Sequence, residues 1–178
     1  MSRILDITPD KLTPEQDQIF KRLVANRGRL LGPYRIWIYS PTIASAMEQI
    51  GTFLNTNRAS LTQREIEIGI ILVAQYWDGD YVRKAHIRLG KIAGLSDETI
   101  DAVLSGGDPK LTDPHERAFY RFATSQIKRE KLSDAEFAEI EKVLGRDGIA
   151  ETLVLLGYYS SVALAMKAHE VPFQPPPG

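Results

Sequence analysis

Helix-start signals recur along this sequence in a form that leaves little room for strands. Thr13-Pro14-Glu15-Gln16 places Thr at the N-cap, Pro at the first helical position and Gln at the third, where its side chain can reach back to the cap. Thr62-Gln63-Arg64-Glu65, Asp113-Pro114-His115-Glu116 and Ser133-Asp134-Ala135-Glu136 repeat the same logic. Ser96-Asp97-Glu98 opens another helix with two acids against the positive end of its dipole, and Ser40-Pro41 opens one more. Between these starts the apolar residues recur every three or four positions. Val82, His86, Leu89 and Ala93 share one face, with Arg83, Lys84, Arg88 and Lys91 away from it. Only the piece around Trp37 looks strand-like, and it is short. The expectation is an all-α fold of about eight helices, near 13–26, 41–55, 62–76, 79–93, 96–104, 113–130, 133–144 and 147–168.

With 178 residues, the chain suits one helical domain over residues 1–172, followed by a Pro-rich tail at 173–178. Two similar strings, LTQREIEIGIILVA and LTDPHERAFYRFAT, hint at a duplicated helical hairpin. Lys and Arg number 22 against 23 Asp and Glu, so the chain lacks the basic surplus of a nucleic-acid binder. There is no cysteine, which removes disulfides, thiolate nucleophiles and Cys-based zinc sites and fits a reducing cytoplasm. The N-terminus shows no signal-peptide core. The apolar stretch Leu153–Met166 falls short of the ~20 residues of a membrane span, so no membrane partner is expected. Phosphate loops, HExxH zinc signatures and GxSxG elbows are missing from the sequence.

Two residues stand out chemically. Glu67 sits inside Ile66-Glu67-Ile68-Gly69-Ile70-Ile71-Leu72-Val73-Ala74, apolar on every side, which marks a buried helix and therefore a buried carboxylate. Burial disfavours its ionised form unless a partner compensates, and such carboxylates serve proton transfer. The plainer alternative is a Glu bonded to a structural Arg or Tyr. His86 lies on the apolar face of the next helix, where a satisfied core histidine is the alternative reading. His115, in the first turn after Asp113-Pro114, and His169, at a helix C-terminus, read as structural.

Between Glu67 and His86 runs the turn Tyr76-Trp77-Asp78-Gly79-Asp80-Tyr81. A hairpin folded there sets two helices about 8–10 Å apart, with Glu67 about ten residues from the turn and His86 about eight, so the two side chains converge. Trp77 and Tyr81 are candidate walls for a flat or unsaturated substrate, and Arg83 or Arg35 candidate receptors for its carboxylate. Asp78 and Asp80 read as turn caps rather than metal ligands.

Glu67, the aromatic turn, His86 and the following Arg88-Leu89-Gly90-Lys91-Ile92-Ala93-Gly94-Leu95-Ser96-Asp97-Glu98-Thr99-Ile100 together resemble the carboxymuconolactone decarboxylase family, part of the alkylhydroperoxidase-like all-α superfamily. The likeness covers residues 40 to 125, and the helix with Gly157-Tyr158-Tyr159 resembles the longer members. The peroxidase branch carries Cys-x-x-Cys-x-x-x-His; here Gly79 and Val82 stand in the cysteine places, so thiol peroxidase chemistry is excluded. The resemblance implies a compact multi-helix bundle and a cofactor-free, metal-free enzyme acting on a small unsaturated lactone or carboxylate from aromatic catabolism. Glu67 and His86 would be its acid–base pair, and the assembly a trimer or hexamer. A non-catalytic binding or assembly protein, or a related isomerase or hydrolase, are the alternatives.

Overall fold

Thr13, Thr62 and Ser133 each close a reciprocal capping box, and Asp113 accepts from two backbone amides of the turn it starts. A computed structural model describes residues 2–4, 7–30 and 32–173. After a 3₁₀ turn at Pro9–Lys11 come α1 (Pro14–Arg27), α2 (Tyr34–Trp37), α3 (Pro41–Thr52), α4 (Gln63–Tyr76), α5 (Asp80–Ile92), α6 (Asp97–Ser105), α7 (Pro114–Lys128) and α8 (Asp134–Ala168). Among the described residues there is no strand; the fold is all-α.

Three details differ from the sequence expectation. The strand-like piece around Trp37 is the helical turn α2, too short to show a period. The helix expected over 41–55 ends at Thr52 and runs on as a π-helical turn, Phe53–Asn57. The helices expected at 133–144 and 147–168 both form, but they join directly into α8 across a kink, where Gly145 leaves helical geometry at φ 69° and ψ 170°. A residue without Cβ adopts that conformation at little cost, so the chain kinks there without a loop. The expected tail at 174–178 lies outside the described residues.

Helix α4 forms the centre. Residues Glu65 through Ala74 are all buried, and α5, α6, α7 and α8 pack around them. A Cβ on Gly69 would stand 2.7 Å from Leu155 Cδ2 and 3.0 Å from Phe119 Cζ, so its absence lets α7 and α8 close on α4. Each fully buried Ile along this helix contributes roughly 1.5–3 kcal/mol of transfer free energy.

By length and composition α8 would suffice to cross a membrane, contrary to the reading of Leu153–Met166 as too short. Half of its most apolar stretch is buried within the bundle, and α8 contacts α3, α4, α5 and α7 as a core helix does.

The two similar strings run from the caps through most of α4 and α7, whose first turns are cross-linked to each other. Arg64 Nε donates to Glu116 Oε1 at 2.5 Å, and His115 Nδ1 meets Glu65 Oε1 at 2.5 Å. Glu65 is fully buried, and its other oxygen accepts from the Thr62 backbone N–H and hydroxyl. His115 is thus structural, as the partner of a buried carboxylate. Arg64 also donates to the Gly94 carbonyl, and its guanidinium is held above its ordinary pKa chiefly by the Glu116 hydrogen bond.

Candidate active site

The α4–α5 hairpin is set by its turn. Asp78 adopts φ 51°, the left-handed conformation that ends a helix. The Gly79 N–H then reaches back to the Ala74 carbonyl at 2.7 Å, and the Asp78 N–H to that of Gln75 at 3.2 Å. A Cβ on Gly79 would stand 3.1 Å from the Ala163 Cβ of α8, so glycine there lets α8 pack closely on the turn. Gly79, not either aspartate, therefore takes the N-cap position of α5, and no side chain caps this helix. Asp80 instead sits in the first turn, where Lys84 at 2.8 Å and Arg83 at 3.1 Å hold its carboxyl below the usual carboxylate range, the Lys84 hydrogen bond leading.

Folded this way, the hairpin brings Glu67 and His86 into direct contact. His86 Nδ1 and Glu67 Oε2 are 2.8 Å apart. The Glu67 side chain is 3% exposed and that of His86 15%. A buried carboxyl group needs hydrogen-bond partners. It has two, since Gln63 Nε2–H donates to Oε1 at 2.7 Å from one turn earlier on α4. Gly90 leaves room for Leu95, whose Cδ1 would stand 3.0 Å from a Cβ there, while Glu67 Cβ would lie in ordinary contact at 3.7 Å. On its other side the imidazole stands edge-on to Tyr159 of α8, ring centroids 5.2 Å apart. With Nδ1 engaged, Nε2 is the ring nitrogen left for chemistry, and it is not among the sealed, unpaired polar atoms of the described residues.

The other residues singled out in the sequence lie around the turn end of the hairpin or on α2. Trp77 is half-buried and donates its indole N–H to Ser160 Oγ of α8 at 2.9 Å. Tyr81 packs edge-on against Phe173 and lines a pocket of about 210 Å³ with Met166, Lys167 and Val171; neither Glu67 nor His86 lines it. Arg83 is engaged by its own turn, with Asp80, with Asp78 at 3.6 Å and with the Gln75 side-chain oxygen at 3.2 Å. Arg35 sits half-buried on α2. His169 Nδ1–H donates to the Ala165 carbonyl at 2.9 Å, a helix-end contact. Among the described residues no group of three or more His, Asp or Glu side chains is arranged to hold a metal ion.

Two members of the site were missed in the sequence. Gln63 was read as a residue of a capping box, although its i,i+4 spacing to Glu67 was visible. Tyr159 comes from α8, and no local signal ties it to His86.

Comparison with known proteins gives a family match over part of the chain and a likeness of fold. The pattern that defines the carboxymuconolactone decarboxylase family matches residues 41–125, from the start of α3 to within α7. Among proteins of curated function no sequence matches. Solved structures match closely in fold at low identity. An uncharacterized peroxidase-related protein from Silicibacter sp. TM1040 aligns at 14% identity and a TM-score of 0.72, covering 95% of this chain and 90% of that one. A peroxidase-related protein with an alkylhydroperoxidase AhpD core from Ralstonia eutropha JMP134 aligns at 16% identity and 0.72, covering 97% and 92%. A cysteine-to-alanine variant of the debrominase Bmp8, in complex with 2,3,4-tribromopyrrole, aligns at 12% identity and 0.70, covering 98% and 92%. At these identities the likeness is one of fold.

Proposed function

We propose, for a chain whose residues 41–125 match the carboxymuconolactone decarboxylase family, a cofactor-independent acid–base reaction on a small unsaturated lactone or carboxylate. The observation that carries this reading is the buried Glu67–His86 pair at 2.8 Å. In decarboxylation the C–C bond to the carboxylate breaks, CO₂ leaves, and the electron pair delocalises onto a conjugated carbonyl oxygen. His86, protonated on both nitrogens beside the Glu67 carboxylate, hydrogen-bonds that oxygen through Nε2–H and then gives the proton to carbon. A solvent proton restores the imidazolium, so each CO₂ released consumes one proton. Glu67 orients the ring and supports its charge. Arg35 and Arg83 are candidates for the substrate carboxylate, and Trp77 and Tyr81 for its unsaturated face. Thiol chemistry is closed to a chain without cysteine.

The test is turnover of carboxymuconolactone in D₂O, with related unsaturated lactone acids alongside. Release of CO₂ with one deuterium in the product supports the reading. Isomerised or ring-opened product without CO₂ points to the isomerase or hydrolase alternative. No conversion across the set favours a binding protein on the same fold.

The same reading includes a homo-oligomer, working in the cytoplasm. Leu153, Val154 and Leu164 are each more than 40% exposed, on a face of α8 that also presents Gly157 and Ser161. Such a stripe suits contact with another copy better than contact with water. Light scattering at micromolar concentration is expected to give a multiple of 19.9 kDa, and a stable monomer would refute the assembly.

A further inference from the structure

The Glu67–His86 pair is the inner end of a longer hydrogen-bond chain. Arg58, in the loop before α4, donates through Nη2 to Gln63 Oε1 at 2.9 Å. Its Nε and Nη1 groups are fixed on the backbone carbonyls of Leu61 at 2.7 Å and Leu54 at 3.0 Å. A guanidinium has donors only, so the group facing it must be the amide oxygen of Gln63. The Gln63 amide nitrogen is then turned towards Glu67, 2.7 Å from Oε1. An NH₂ group can only donate there, so Oε1 of Glu67 can only accept. The hydrogen between Glu67 Oε2 and His86 Nδ1, 2.8 Å apart, is then carried by Nδ1, because a carboxylate oxygen only accepts. Each link fixes the direction of the next.

We propose that Arg58 and Gln63 are positioning residues, which set the polarity of the Glu67–His86 pair so that neutral His86 carries its proton on Nδ1 and leaves Nε2 bare. The inference rests on the proposed acid–base role for its purpose, but not for its test. With Nε2 bare, His86 collects its next proton on the nitrogen free of Glu67. A pair polarised the other way would have to take the proton that restores the imidazolium at Nδ1, on the side that Glu67 occupies.

The tautomer can be read without a substrate, from long-range ¹H–¹⁵N correlation spectra of ¹⁵N-histidine-labelled protein at a pH where His86 is neutral. The wild type is expected to show a protonated Nδ1 and an unprotonated Nε2. In Glu67→Gln, the amide of Gln63 still demands an acceptor, so the new side chain must turn its oxygen to Gln63 and its NH₂ to His86. The proton is then expected to move from Nδ1 to Nε2. In Gln63→Glu combined with Glu67→Gln, the carboxylate at 63 takes the NH₂ instead, the oxygen at 67 returns to His86, and the Nδ1–H tautomer is restored. Wild-type His86 with its proton on Nε2 would overturn the proposal without any variant. So would a Glu67→Gln protein that keeps Nδ1–H, or a double variant that stays on Nε2–H. A protein that shows the expected cycle yet turns over no lactone would leave this inference standing and refute the proposed reaction alone.

Discussion

Replacing His86 by alanine is expected to lower turnover of a lactone substrate by about 10²–10⁴-fold, the usual contribution of a placed acid–base group. The variant removes the ring that meets Glu67 at 2.8 Å, and with it the only group of the pair able to present a proton at Nε2. Glu67→Gln is expected to produce a loss of similar order while keeping shape and volume, because an amide cannot carry the charge that supports an imidazolium. The two losses are not additive: His86→Ala with Glu67→Gln should be no slower than His86→Ala alone, since both act through one proton. KM should move little in either case. Circular dichroism confirms folding, and steady-state kinetics of the three proteins decide. Independent, multiplicative losses would show that Glu67 and His86 do not work as a unit.

Glu151→Ala is expected to be the most destabilising single change outside the apolar core. Glu151 is 6% exposed on α8, and its carboxylate accepts from three consecutive backbone amides, Ala59 at 2.8 Å and Ser60 and Leu61 at 3.1 Å. Those amides belong to the loop that enters α4 and have no helical partners of their own. Hydrogen bonds to a charged acceptor are worth about 1.5–3 kcal/mol each, and the variant also leaves donors stranded, so a loss of about 3–5 kcal/mol is expected. That is a large share of the roughly 5–15 kcal/mol that holds a domain folded. Urea denaturation measures it, and a change below about 1 kcal/mol would show that water replaces the carboxylate freely. Arg58 lies at the head of the same loop, so the clamp also steadies the chain of hydrogen bonds that ends at His86.

What could be read in advance depended on how local the signal was. The starts of α1, α4, α6, α7 and α8 are visible because a cap and its amides lie within three residues of each other. The approach of Glu67 and His86 followed from a single turn, since a tight hairpin aligns positions at similar distances from it. His115 reads as structural and is so, but its partner was not legible, because Glu65 lies fifty residues away. The Glu151 clamp spans about ninety residues and has no local trace at all. The break expected between residues 144 and 147 falls at Gly145, but nothing nearby distinguishes a kink between two helices from a loop. The Arg83 fork, singled out for a substrate carboxylate, faces Asp78 and Asp80 of its own turn, a competition that side-chain chemistry alone does not resolve.

The central claim is that His86 is the group that meets the substrate, and the chain's three histidines make it directly measurable. Protein labelled with ¹⁵N-histidine can be titrated with carboxymuconolactone or an unreactive unsaturated lactone acid while the ring nitrogens are observed. The account predicts that Nε2 of His86 shifts on binding while His115, paired with Glu65, and His169, bonded to the Ala165 carbonyl, stay in place. Ligand binding that leaves His86 unmoved, or that moves one of the other two instead, would contradict it.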